Sequence, residues 1–191
     1  MPAPLRVALR KLLLAAPLAV FASSAIAAGL WPDSVFGTVG YTSGAFVAIY
    51  GAGASWDLKE RPPARDDTGF GFRIDGQVSY WLGKGQPTPY QHVWDFSVTP
   101  VARWTFSWFS TPRVYVEGGI GFHGLSATRI NNDRMFGSAF QFGEMVGVGA
   151  TFGPRNDYDV KLYFQHVSNG GLAKENWGLS YPGIAVRVAL P

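Results

Sequence analysis

From residue 34 onward the chain alternates, one position at a time, between apolar residues and residues that are polar or glycine. A repeat of two marks strands whose faces meet different surroundings. It predicts eight strands, at about 34–42, 45–57, 69–83, 91–107, 113–124, 139–152, 158–168 and 181–190. Turn-rich segments separate them: Lys59 to Thr68, Lys84 to Pro89, Ser110 to Pro112, Asn131 to Arg134, Gly153 to Asp157 and Asn169 to Asn176. Within 139–152, one face carries Phe140, Phe142, Val146, Val148, Ala150 and Phe152. The other carries Gln141, Gly143, Gly147, Gly149 and Thr151. Within 113–124, Val114, Val116, Ile120 and Phe122 oppose Glu117, Gly119, Gly121 and His123. Strands of about 9–11 residues suffice to cross a bilayer when tilted. The pattern therefore predicts an all-β chain, an eight-stranded antiparallel transmembrane β-barrel with small residues filling a narrow lumen. The rival is a soluble periplasmic barrel with its apolar faces turned in around a lipid. Periodicity alone does not separate inside from outside.

The first 27 residues have a different character. Arg6, Arg10 and Lys11 precede an apolar run from Leu12 to Phe21, and Ala25-Ile26-Ala27 follows. This is the secretory signal pattern, so residues 1–27 are expected to be a removed leader and 28–191 the mature barrel. The leader also carries the charge. The whole chain has a formal net charge of +3, and Arg6, Arg10 and Lys11 account for it, so nucleic-acid binding is not indicated. Export combined with a transmembrane barrel would place the protein in the outer membrane, by way of the periplasm. With no cysteine there is no disulfide framework and no thiol nucleophile. His92, His123 and His166 show no metal-ligand spacing. Gly119-Ile-Gly121-Phe-His-Gly124 matches a dinucleotide fingerprint, but lies inside a strand with no helix after it. The seven tryptophans, Trp81, Trp94, Trp104 and Trp108 among them, suit interfacial girdles. Asp66-Asp67 and Asn131-Asn132-Asp133 read as solvated loop tips.

Chemistry concentrates in one place. Val160, Leu162, Phe164, His166 and Ser168 share a face, so the histidine and serine continue an apolar stripe. If that stripe meets lipid, the pair suits hydrolysis of a membrane ester. Their Cβ atoms would lie about 6.5 Å apart along the strand, within reach of an imidazole. Histidine removes the serine proton and serine attacks the carbonyl. Asn169-Gly170-Gly171 follows, a turn able to offer backbone N–H groups, and the asparagine side chain, to an oxyanion. Taken alone, His-x-Ser is a weak signal.

Three stretches, in order, resemble the PagL family of lipid A 3-O-deacylases. They are Val114-Tyr-Val-Glu117-Gly-Gly-Ile-Gly121 continuing to Leu125-Ser-Ala-Thr-Arg129; Phe140-Gln-Phe142-Gly-Glu144 leading into Gly147-Val-Gly149; and His166-Val-Ser168-Asn169-Gly-Gly171-Leu with Asn176-x-Gly178. They cover roughly residues 110–190. The resemblance implies an enzyme of the outer membrane, working on its lipid-facing surface without metal or cofactor. It would hydrolyse the ester that holds a primary 3-hydroxyacyl chain at position 3 of lipid A in lipopolysaccharide. By position it implies Ser168 as nucleophile and His166 as base. Asn169, Gly171 and Asn176 would shape or support the oxyanion site, and Phe142 and Phe164 would line the acyl chain. The family's triad acid is expected two residues after the glycine of Asn176-x-Gly178, where this chain has Ser180. Glu175 is the first choice of replacement acid and Glu144 the second; in a Ser–His dyad, Ser180 would only orient the imidazole. The chain also ends Val-Ala-Leu-Pro rather than in the aromatic residue of many outer-membrane barrels. A non-catalytic outer-membrane barrel stays open as a function, and a homodimer as an assembly.

Overall fold

The computed structural model describes residues 31–58, 69–83, 92–106, 108, 112–132 and 134–191. The expected leader lies outside them, as do the Asp66-Asp67 tip and Asp133. Ten strands follow one another: β1 (Ser34–Thr42), β2 (Val47–Asp57), β3 (Gly69–Gly83), β4 (His92–Thr105), β5 (Arg113–Leu125), β6 (Arg129–Asn131), β7 (Arg134–Met135), β8 (Phe140–Phe152), β9 (Tyr158–Ser168) and β10 (Leu179–Ala189). Eight of them close into an antiparallel barrel in the order β1-β10-β9-β8-β5-β4-β3-β2, while β6 and β7 pair in a separate small hairpin. The eight strands expected from alternation are all present, and three have the expected bounds to the residue. The β6–β7 hairpin falls where the sequence predicts only a turn, because strands of 3 and 2 residues carry no period.

Burial settles which face is which. Along β9 the odd positions Asp159, Lys161, Tyr163, Gln165 and Val167 are buried, while Val160, Leu162 and Phe164 are exposed. The same inversion holds on β8, where Val146 is 64% exposed and Gln141 fully buried. Polar groups inside and apolar groups outside are the arrangement of a barrel solvated by lipid. The soluble alternative, with its apolar faces turned inward, is thereby corrected.

The lumen is crossed by paired charges and keeps a cavity lined by Gln77, His123, Tyr163 and Gln165 among others. Glu117 sits at its centre, taking two bonds from Arg73 at 2.8 and 2.9 Å, one from Arg103 at 2.8 Å and one from Lys161 at 2.7 Å. Arg73 and Arg187 also hold Asp75, which accepts a bond from Ser55 at 2.6 Å. Buried charges are tolerable only when paired and hydrogen-bonded in this way. The glycines of the inner face make the room: a Cβ on Gly149 would strike the Tyr115 hydroxyl, and one on Gly143 the His123 ring. Apolar residues gather nearer the end that carries the β6–β7 hairpin, with Val47, Ile49, Trp81, Val93, Ile130, Phe136 and Leu179 fully or almost fully buried. Trp81, expected in an interfacial girdle, is therefore corrected to a lumen residue, its indole N–H donating to Ser79 Oγ at 3.2 Å. Trp94, Trp104 and Trp108 are exposed on the outside, as a girdle requires.

Strand direction sorts the connections. The C-terminal ends of β1, β3, β5 and β9 lie at one end, with the β1–β2 turn and the β9–β10 loop. The C-terminal ends of β2, β4 and β8 lie at the other, with the β8–β9 turn.

Candidate active site

The register across three neighbouring strands builds the site. On the outer face, His166 of β9 is paired with Ser180 of β10 on one side and with Glu144 of β8 on the other. One step toward the loop end, Ser168 faces Phe142. One step toward the barrel waist, Phe164 stands between Pro182 and Val146. A row of polar groups therefore interrupts an otherwise apolar outer surface at its loop-side rim. Directly opposed side chains have Cβ atoms about 4.5–5.5 Å apart, so the row is within mutual reach.

The imidazole is held in a defined way. His166 Nδ1 and Ser180 Oγ are 2.7 Å apart. With Nδ1–H as donor, Nε2 carries the lone pair and becomes the basic nitrogen. On the other edge of the ring, Gly178 packs closely, at φ +60°, and a Cβ there would lie 3.0 Å from His166 Cε1 and 3.4 Å from Ser168 Cβ. No hydrogen bond joins His166 to Ser168 among the described residues, as is common for catalytic pairs without substrate. Gly178 stands in the Asn176-x-Gly178 motif, but its packing against the imidazole is what sequence reasoning missed. Its signal was there, a glycine just after Asn176 where a loop re-enters a strand.

The segment 169–178 is fastened down at several points. Asn169 is fully buried. Its Nδ2 donates to Phe136 O at 2.7 Å and Ala173 O at 3.3 Å, and its Oδ1 accepts from Gly171 N–H at 2.9 Å. Its own N–H donates to Asn176 Oδ1 at 2.8 Å. The Asn169 side chain thus makes its bonds inside the loop. Trp177 N–H donates to Met135 O at 3.4 Å, joining the loop to β7. Glycines at positions 170 and 171 adopt φ +64° and +84°, which lets the chain turn sharply after Ser168. Phe142 packs against Gly170 and forms an aromatic cluster with Phe122 and Phe140, at centroid separations of 6.0 and 5.1 Å. Phe164, 49% exposed, extends the apolar track toward the waist.

Of the two glutamates considered as acids, Glu175 stands exposed in the loop at φ +67°. It is Ser180, and not Glu175, that bonds the imidazole. Glu144 is exposed on the outer face directly beside His166.

Comparison with known proteins gives the same picture from another direction. Residues 48–189 match the family described as lipid A 3-O-deacylase (PagL). The chain is 40% identical over 102 residues to the lipid A deacylase PagL of Bordetella bronchiseptica (strain ATCC BAA-588 / NCTC 13252 / RB50), covering 53% of each protein. The match thus spans about half of that relative's length. The fold superimposes on the crystal structure of the outer membrane enzyme PagL with a TM-score of 0.68 and 25% identity, covering 82% of this chain and 99% of that one. An outward-facing Ser–His pair on a lipid-solvated eight-stranded barrel and a family match over most of the chain agree: this protein is a member of the PagL family of lipid A 3-O-deacylases, in the outer membrane.

Proposed function

We propose that this chain hydrolyses the ester at position 3 of lipid A in lipopolysaccharide, releasing the primary 3-hydroxy fatty acid. The observation that carries the reading is the outward row Ser180–His166 with Ser168 one step along, placed where an apolar surface meets the loop-side rim. His166 Nε2 takes the proton of Ser168 Oγ as the oxygen attacks the ester carbonyl. The tetrahedral intermediate collapses, and the sugar 3-oxygen leaves with that proton. A water, deprotonated by the same nitrogen, then attacks the acyl-enzyme and frees the fatty acid.

The supporting roles follow from the contacts. Asn176, whose Oδ1 is anchored on Asn169 N–H, has its Nδ2 left to donate to the oxyanion. Asn169 and Gly171 hold the turn that sets this geometry. Phe142 and Phe164 form the track for the acyl chain. Ser180 fixes the imidazole tautomer, and the carboxylate of Glu144 supplies negative charge from the next strand when the imidazolium forms. Glu175 takes no part. Every group comes from one chain, so the reading needs no homodimer.

The test is mass spectrometry of lipid A from a Gram-negative host expressing the chain or its Ser168→Ala variant. Loss of one 3-hydroxyacyl group only with the unmutated chain is expected. A Ser168→Ala barrel that folds and still deacylates would sink the proposal. A non-catalytic barrel would leave lipid A unchanged in both hosts and in detergent.

A further inference from the structure

The loop that closes over Ser168 also offers a means of reading the sugar, and the argument rests on lipid A being the substrate. In a 3-O ester the alkyl oxygen is bonded directly to a ring carbon of the glucosamine. Attack brings the carbonyl carbon to about 3–3.5 Å from Ser168 Oγ. The sugar ring is then only two bonds further on and has to rest against whatever borders Ser168 at the loop-side rim. That border includes Gly178, where an added Cβ would lie 3.4 Å from Ser168 Cβ, and the residues joined to it.

Trp177 is the aromatic residue adjoining Gly178, and it is 49% exposed. The chain is held at Trp177 by its own N–H bond to Met135 O, and just before it by the bond between Asn176 Oδ1 and Asn169 N–H. The platform is thus rigid before substrate arrives, and binding loses little loop entropy. An indole face carries negative electrostatic potential, and a pyranose ring presents C–H groups on its faces, so the two surfaces complement one another. We propose that the Trp177 indole is the surface on which the glucosamine ring of lipid A stacks, holding its 3-O ester over Ser168.

The competing role for an exposed tryptophan at this level is a membrane-interface anchor. Two substrates in the same mixed micelles separate the roles: lipid A, and a sugar-free p-nitrophenyl ester of a 3-hydroxy fatty acid. Trp177→Ala is expected to lower kcat/KM on lipid A roughly tenfold, mostly through KM, and to leave the sugar-free ester within about twofold. Trp177→Phe should recover most of the loss. Equal losses on both substrates would identify an anchor or a loop defect and overturn the inference. So would a Trp177→Ala enzyme that cleaves lipid A as fast as the unmutated one. If the unmutated chain cleaves only the sugar-free ester, the substrate assignment itself fails and the stacking role with it.

Discussion

Ser180 is the position where the reasoning is most exposed to test. If it holds the imidazole, removing its hydroxyl should slow catalysis without unfolding the barrel. The His166 Nδ1–Ser180 Oγ bond is 2.7 Å long, and both residues stand on the outer face. A hydrogen bond between neutral groups contributes about 0.5–1.5 kcal/mol, so Ser180→Ala should lower kcat by roughly 2- to 13-fold. Ser180→Glu, which puts a carboxylate where the resemblance implies a triad acid, should act in the opposite direction. A charge-assisted bond is about twice as strong as a neutral one, so its gain over Ser180→Ala should approach roughly a hundredfold. The assay is initial-rate hydrolysis of purified lipid A in detergent at saturating substrate, with circular dichroism and heat-modifiable gel mobility to confirm the closed barrel. A folded Ser180→Ala enzyme with unchanged kcat would refute the orienting role. It would send the search for the acid back to Glu144 or Glu175.

Four further variants test contacts described above. Glu144→Gln should reduce kcat roughly tenfold, since a unit charge at about 5 Å is worth at most about 3 kcal/mol at an effective dielectric constant of 20 and partial exposure weakens it further; Glu175→Gln should change kcat less than about twofold, and the reverse ranking in lipid A hydrolysis would exchange their roles. Gly178→Ala combines a φ of +60° with a Cβ 3.0 Å from the His166 ring. It should cost about 1–2 kcal/mol of stability and nearly all activity, as read from thermal unfolding and turnover measured side by side. Glu117→Gln leaves Arg73, Arg103 and Lys161 without their shared counter-charge. It should destabilise the barrel by about 3–5 kcal/mol in urea titration from detergent, while turnover at moderate temperature persists, because the catalytic row lies on the other side of the wall.

The strands were legible because a barrel wall imposes a strict period of two, and long strands repeat it often enough to be read. The same parity puts His166 and Ser168 on the apolar face by counting residues alone. It also holds the clue to Trp81, which shares its parity with Arg73, Asp75 and Ser79 and so belongs to the lumen. The expectation fails there because a tryptophan's size and polar tip suggest an interface instead. What the period of two could not give was the pairing across strands, and Ser180 was set beside the imidazole only by the family resemblance. Ser180 meets His166 only because ten residues of loop bring β10 back in one register, and that register is set by the buried Asn169 and the left-handed glycines. Nothing in the linear spacing distinguishes that register from one shifted by two, which would have left the imidazole beside a different partner.

A wall with its working groups outside and a lumen crossed by ion pairs sets how the enzyme meets its substrate. On the proposed function the site faces the lipid side of the wall rather than the lumen, so lipid A would arrive by lateral diffusion within the leaflet. The quantity that governs turnover is then a mole fraction in two dimensions rather than a concentration in water. Diluting lipid A with an inert amphiphile should slow the reaction even when the bulk amount of lipid A is unchanged. Both products are amphiphiles released into the same leaflet, so they compete with fresh substrate for the apolar track until something removes them.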